Sequence, residues 1–397
     1  MGQARRTHAP TRITPAAPPG AASDAPEQQF LRLMSHEMRT PLNGVIGMLG
    51  LLSRTRLDGA QRAYAEAAQK SAEHLLGLVN DLLDFARLEA GALEFDPAPV
   101  DLEGLTRGVA ELLSPKAHDK GLEIVWSVAA DAPDVIADEG RLRQVLFNLA
   151  GNAVKFTDRG GVRLTVERAG GTAARPRLAF VVDDTGPGVP AEARSRIFDE
   201  FGHADASDAA RFDGAGLGLA VVRRLAQAMG GTVAVSDRPD GPGARFRFEA
   251  PFPVAADASP RERPLDGVVV AVRTPDPFVR QAAAAQIEAS GGRVARQAGV
   301  TLIDHAMAED GALMVKPSQG EAVILLKPSE RDLVDRYRAA GFHGYLIKPL
   351  RRASLAERVL AAAGRRKGLT VAVGRGQDDD RVTPVAIVND FAPCSRQ

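Results

Sequence analysis

Apolar residues recur in heptads along the N-terminal part of the chain. Met38, Leu42, Val45, Leu49 and Leu52 step by 4, 3, 4 and 3, and Tyr64, Ala68, Ser71, Leu75, Leu78, Leu82 and Phe85 keep the same period. The pattern predicts two helices, over residues 27–54 and 59–90, joined by a short turn near 56–59. Such a hairpin carries apolar seams that it cannot bury by itself. A homodimer that joins two hairpins into a four-helix bundle is the expected solution, with a single hairpin packed on another domain as the alternative.

The pattern then changes. Gly91, Pro97 and Pro99 end the helical stretch. Residues 98–250 alternate a helical segment, 142–157, with strand-like runs at 162–167, 178–183, 232–236 and 244–249, which predicts an α/β sandwich on a mostly antiparallel sheet. A Pro/Ala/Arg-rich stretch follows as a linker. Apolar runs at 267–272, 300–303, 322–326 and 344–347 alternate with helical segments and predict a doubly wound parallel sheet. The expected division is a disordered leader 1–26, a helical hairpin 27–92, an α/β sandwich 93–252, a linker 253–264, a doubly wound unit 265–363 and a flexible tail 364–397 with one apolar patch at 382–388.

Composition narrows the function. Fifty basic residues balance 50 acidic ones in 397, so no nucleic-acid footprint is expected. The single Cys, Cys394, excludes a disulfide scaffold and suits a cytoplasmic location. No apolar run approaches the roughly 18 residues of a membrane span, so none is expected.

Four local features carry candidate chemistry. His36 stands beside Glu37 on the first heptad helix, with Thr40 four residues on and Pro41 following. Asn148 and Asn152 lie four apart on one helix face, where carboxamide oxygens suit Mg²⁺, and Lys155 lies near enough to meet a phosphate. Asp184 closes an apolar strand, where a carboxylate can accept from a purine amine, and Gly186 and Gly188 allow a ring to approach the backbone. Gly214, Gly216 and Gly218 alternate ahead of a helix, a pattern that can cradle phosphates. Each has an ordinary reading as well: a surface His, solvated Asn residues, a strand-ending turn and a flexible loop. The polar stretch between the last two features, with Ile197, Phe198, Phe201 and Phe212, has the look of a mobile lid.

In this order the features resemble those of the sensor histidine kinases in their hybrid form: His box, Asn box, Asp-x-Gly-x-Gly box, Phe box and Gly-rich box over residues 27–252. The resemblance implies a dimerisation and phosphotransfer hairpin followed by a gyrase/Hsp90-like ATP-binding domain. It implies that His36 accepts the γ-phosphoryl of ATP, that Glu37 takes or orients the imidazole proton, and that Thr40 positions water for dephosphorylating a partner. Asn152 would hold Mg²⁺, with Asn148 a turn before it. Asp184 would read adenine, and Gly186, Gly188, Gly214, Gly216, Gly218 and Lys155 would surround the nucleotide. The partner implied is a response-regulator receiver or phosphotransfer protein. A catalytically silent dimeric adaptor that binds ATP is the alternative. Pro41, lacking an N–H, should strain the helix around Glu37.

Residues 265–363 resemble a receiver domain at one end only. Lys348-Pro349 matches the strand-five turn, and Asp304 matches the phosphoacceptor. Where the family has a metal-binding acidic pair, Arg273-Thr274-Pro275-Asp276 stands, and Lys327 replaces the usual hydroxyl residue. A divalent ion needs several oxygens, so a degenerate receiver is expected, with its phosphate acceptor elsewhere. Ala244-Arg245, in place of a Ser/Thr pair, is expected to be a packing change, and His74 and His118 are expected to be structural or surface residues.

Overall fold

The protein is described from a computed structural model covering residues 26–89, 95–200, 217–256, 258, 261–309 and 312–364. The leader, the first two glycines of the Gly-rich box (Gly214 and Gly216), Phe201, Phe212 and the tail with its apolar patch lie outside these residues. The chain divides into two compact units, with the boundary after Glu94.

The first unit is a hairpin of α1, Pro26–Leu52, and α2, Gly59–Glu89. Asp58 and Gln61 start α2 with reciprocal side-chain-to-backbone bonds, the Gln61 N–H donating to Asp58 Oδ1 at 2.8 Å and the Asp58 N–H to Gln61 Oε1 at 3.1 Å. Pro41 lies within α1, which is assigned helical on both sides of it. Ala65, Ala72 and Val79, seven residues apart, are buried. The expected stripe lies elsewhere: Tyr64 is 75% exposed, and Val45, Leu52 and Leu75 are also exposed. Small residues at a seven-residue interval let the two helices approach closely, which leaves the larger apolar residues facing outward.

The second unit holds two five-stranded sheets. The first is built from β2 (Glu123–Val128), β4 (Gly161–Gly171), β5 (Pro176–Asp184), β7 (Ala244–Pro251) and β6 (Thr232–Asp237), hydrogen-bonded in that order. Only β2 and β4 run parallel; the other pairs are antiparallel, as expected. The short β1 (Ala98–Val100) and β3 (Val135–Ala137) pair separately. Helices α3 (Leu102–Asp119), α4 (Glu139–Phe156) and α5 (Gly218–Ala228) pack on this sheet. Asp101 and Asp138 cap α3 and α4 by accepting backbone N–H groups. The stretch after β7 is not a loose linker. The Ile136 N–H donates to Pro253 O at 2.8 Å, and Arg261 Nη1 to Ala129 O at 2.8 Å.

The second sheet is wholly parallel, in the order β12-β11-β10-β8-β9. Its strands are β8 (Val269–Arg273), β9 (Arg293–Val294), β10 (Val300–Asp304), β11 (Glu321–Leu326) and β12 (Gly344–Ile347). Helices α6 (Pro277–Ala289), α7 (Val334–Ala339) and α8 (Arg352–Ala362) accompany them. The doubly wound expectation holds with one departure. Among the described residues, β10 and β11 are connected by a 3₁₀ turn, His305–Met307, and loop rather than an α-helix. That missing crossover helix accounts for the short span from Asp304 to Lys348.

The two layers share one body. β7 alternates buried and half-exposed residues, as a strand with one open face does, whereas every residue of β2 is buried. The reason is α6, which packs on β2, and Val125 belongs to the same apolar cluster as Phe278, Val279 and Leu350.

Candidate functional site

Asp184 is the centre of the first site. It ends β5 and is buried. The backbone N–H groups of Gly186 and Ala244 donate to its Oδ1 at 2.9 and 3.2 Å. Oδ2 takes no donor among the described residues. Burial raises the Asp184 pKa, against the lowering effect of those two backbone donors. Two glycines make the backbone geometry possible. Gly188 has φ +78°, and Gly243, at φ +126°, lies so close that a Cβ would fall 1.9 Å from Asp184 O. A Cβ on Gly186 would lie 3.0 Å from Asp184 Oδ1 and 3.2 Å from both Thr157 Oγ1 and Phe156 O. Thr157 Oγ1 is buried without a hydrogen-bond partner. The Asp184 carboxylate, with one oxygen bonded and the other open, and the unpartnered Thr157 hydroxyl therefore both border Gly186, a set of polar groups that fits an aminopurine edge.

α4 supplies the neighbouring wall. Lys120 Nζ donates to the carbonyls of Val154, Lys155 and Thr157 at 2.9, 2.9 and 2.7 Å. A cation on the last carbonyls satisfies groups that have no partner within the helix and matches the helix dipole. Asn148 Nδ2 donates to Gly218 O at 3.3 Å, which ties α4 to the first residue of α5. Asn152 is half-buried and makes no side-chain hydrogen bond among the described residues, so its amide oxygen is free for a hard cation such as Mg²⁺. Lys155 lies beside the Phe156 ring, Nζ 5.1 Å from the centroid. The start of the expected lid is anchored, and its remainder, 201–216, lies outside the described residues. Phe198 is buried and packs edge-on against Phe246, with centroids 6.3 Å apart, and Asp199 pairs with Arg223 at 2.7 Å.

The receiver-like site is closed. Asp304 ends β10 with no exposed surface. Its Oδ1 accepts from the Ala306 N–H at 3.1 Å and from Lys348 Nζ at 3.1 Å, and its Oδ2 from Thr274 Oγ1 at 2.8 Å and Lys348 Nζ at 3.2 Å. Lys348 is 1% exposed and donates also to Glu123 Oε1, on β2 of the other layer, at 2.7 Å. Burial lowers the Lys348 pKa, but Glu123 and Asp304 outweigh it and the net shift is upward. Lys327 lies 3.6 Å from the same Glu123 oxygen. Asp276, considered as an oxygen for metal, is instead the N-cap of α6, accepting from the Phe278 and Val279 N–H groups at 2.8 and 3.0 Å. Arg273 ends β8 with its side chain exposed.

One sequence expectation needs correction. Arg245 is an electrostatic change rather than one of packing. Its Nε donates to Asp183 Oδ1 at 2.7 Å, and Arg163 Nη2 pairs with Asp183 Oδ2 at 2.7 Å. His118 is half-buried beside Ser114, with Nε2 unpartnered and its pKa lowered by burial. Lys120, Thr157, Gly243 and Glu123 escaped notice because each acts through a contact distant in sequence. Helical backbone is described at His36 and Glu37, whose side-chain positions lie outside the described residues, and Thr40 is exposed on α1.

Comparison with known proteins agrees with this geometry. Residues 27–91 match the His Kinase A (phospho-acceptor) domain, and residues 137–254 match the histidine kinase-, DNA gyrase B- and HSP90-like ATPase. The chain is 41% identical over 223 residues to the signal transduction histidine-protein kinase BarA of Escherichia coli, covering 56% of this chain and 24% of BarA. It is 35% identical over 357 residues to the sensor histidine kinase AruS of Pseudomonas aeruginosa, covering 83% of this chain and 36% of AruS. The chain thus spans about a quarter to a third of the length of these relatives. The crystal structure of full-length ShkA in complex with AMPPNP superposes with a TM-score of 0.73 at 52% identity, covering 84% of this chain and 72% of that one. No described helix is long and apolar enough to cross a membrane.

Proposed function

The chain belongs to the hybrid sensor histidine kinase family, and from that premise we propose that it phosphorylates its own His36 with ATP and passes the phosphoryl group to an aspartate of a separate receiver protein. The observation that carries this reading is the juxtaposition of the Asp184 carboxylate and the unpartnered Thr157 hydroxyl around Gly186 at the end of α4. The complex of the related ShkA with AMPPNP supports a nucleotide there.

Asp184 Oδ2 accepts from the exocyclic amine of adenine, and Thr157 bonds the same edge. Asn152 would hold Mg²⁺ together with the phosphates, and the ion would supply charge neutralisation there. Lys155 adds a point charge nearby. A neutral imidazole nitrogen of His36 attacks the γ-phosphorus in line, the bond to the β,γ-bridging oxygen breaks, and ADP leaves. Glu37 receives the proton from the ring's other nitrogen as the imidazole becomes phosphorylated. Thr40, on the exposed face of α1, orients water for the reverse duty of dephosphorylating a partner. The outward-facing Val45, Leu52, Tyr64 and Leu75 form the seam of a homodimer that completes a four-helix bundle. The solvation-free, fully bonded state of Asp304 argues for an acceptor on another protein.

The test is incubation with γ-labelled ATP followed by acid and alkali treatment. Acid-labile, alkali-stable label is expected in the wild type and none in His36→Gln or Asn152→Ala. Acid-labile label retained in His36→Gln would defeat the proposal, and an acid-stable, alkali-labile label in the wild type that is lost in Asp304→Asn would defeat the external acceptor.

A further inference from the structure

The end of β5 presents neighbouring carboxylates to opposite faces of its sheet, because side chains alternate along a strand. Asp184 faces the proposed nucleotide site, toward Thr157 and Gly186. Asp183 faces the receiver-like layer and is 1% exposed, between Arg163 and Arg245. Arg163 continues past Asp183: its Nη1 donates to Gln281 Oε1, and its guanidinium lies 5.1 Å from the centre of the Phe278 ring. The Arg238 guanidinium lies over the same ring, also at 5.1 Å. Phe278 and Gln281 both belong to α6.

A second route joins the same points. Phe278 packs against Gly161, where a Cβ would come within 3.3 Å of the ring. The Gly161 N–H donates to Thr185 Oγ1 at 3.0 Å, and Thr185 follows Asp184 directly. Arg245 in turn adjoins Ala244, whose N–H holds Asp184 Oδ1. Both routes begin at one aromatic ring of the receiver-like layer and end at the carboxylate that faces the base.

We infer that Phe278 is a positioning residue for the nucleotide site: docked on Arg163 and Gly161, it holds the end of β5 in the conformation that aims Asp184 at the base, so that docking of the receiver-like layer and nucleotide binding favour each other. The inference rests on the adenine-reading role of Asp184. A cation over an aromatic face is lost when the ring becomes aliphatic, even if volume is kept. Ordering the strand end in advance removes a cost that nucleotide binding would otherwise carry, and the coupling is reciprocal.

The experiment uses the full chain and measures equilibrium affinity for AMPPNP and for its guanine counterpart. The variants are Phe278→Leu, Phe278→Tyr, Arg163→Gln and Asp184→Asn. Phe278→Leu and Arg163→Gln are expected to weaken AMPPNP by about three- to tenfold, the scale of one hydrogen bond set askew. They should also lower the preference for adenine over guanine, whereas a general loss of structure would weaken both ligands alike. Phe278→Tyr, which keeps the ring, should bind as the wild type does. Amide exchange at residues 183–188 should rise in the two weakened variants and fall when AMPPNP binds. Wild-type affinity in both Phe278→Leu and Arg163→Gln, with Asp184→Asn impaired, would overturn the inference. Unchanged affinity in Asp184→Asn would instead overturn the base-reading role itself. Should Phe278→Leu fail to fold, Arg163→Gln decides the matter alone.

Discussion

Asp184 and Asp304 are the same residue in the same setting, each closing a buried strand of a five-stranded sheet, and they differ in how their oxygens are used. Asp184 has one oxygen held by two backbone N–H groups and the other without a donor among the described residues. Asp304 has both oxygens bonded, to Thr274, Ala306 and Lys348, and no exposed surface. A carboxylate at a strand end is thus a reactive or recognising group only where the fold leaves it a lone pair and a path to solvent. The surroundings point the same way. Glycines make room beside Asp184, whereas Lys348 fills the space beside Asp304 and is itself held by Glu123 from the neighbouring layer.

The sharpest way to break this comparison is to remove the lysine. Lys348→Met leaves Glu123 and Asp304 buried without their shared cation, and stability measured by urea unfolding should fall by about 3–5 kcal/mol. Adding Glu123→Gln should recover part of that loss, as residues in one ion network do not add independently. A loss under ~1 kcal/mol would mean that the pocket opens to solvent more than the geometry indicates. The corresponding change at the open site acts on binding. Asp184→Asn should weaken AMPPNP by roughly 10- to 100-fold, the scale of a hydrogen bond to a charged group, while Asp304→Asn leaves the same affinity within about twofold.

Acidification sharpens the contrast further. The raised pKa of Asp184 means that it takes up a proton at a higher pH than the 3.8 of an ordinary aspartate. Its folded-state pKa lies above the unfolded one, so ionising it opposes folding as pH rises through that interval. Base recognition needs the ionised form, so AMPPNP affinity should fall with decreasing pH, beginning above the ordinary carboxylate range. Asp184→Asn should remove that dependence when titrated by fluorescence or calorimetry. The smallest effect expected is at Asp276. As an N-cap and not a metal ligand, its replacement by Ala should cost about 1 kcal/mol of stability without altering any response to Mg²⁺.

Much of the candidate site was legible in advance because its signals are local. Asn148 and Asn152 share a helix face by their spacing, and Asp184-Thr185-Gly186-Pro187-Gly188 is a strand end followed by a turn. The parallel sheet was legible from its apolar runs. Other elements were not. β2 reads Glu-Ile-Val-Trp-Ser-Val, without the alternation of a half-buried strand, because α6 covers the face that would otherwise be open. Glu123 looks like a surface acid until Lys348, 225 residues away, is placed on it. Arg245 looks like a lapse from the family's Ser/Thr until Asp183 is placed opposite. The heptad stripe was correctly periodic, but which of its faces closes the hairpin depended on Ala65 and Ala72 being small enough for close approach.

The sequence alone determined the two heptad helices, the helix over 142–157, most strands of the two sheets, and which residue types stand at the strand ends, since these follow from periodicity and turn chemistry within a few residues. It also raised the expectation that the receiver-like part is degenerate, since Arg273-Thr274-Pro275-Asp276 stands where the family has an acidic pair. Only the tertiary structure decided which carboxylate oxygens remain open, because lone pairs are filled by donors brought from other strands and from the other layer. That is why Asp184 is available to a ligand, and why Asp304, Lys348 and Glu123 form a buried tie between the two sheets instead.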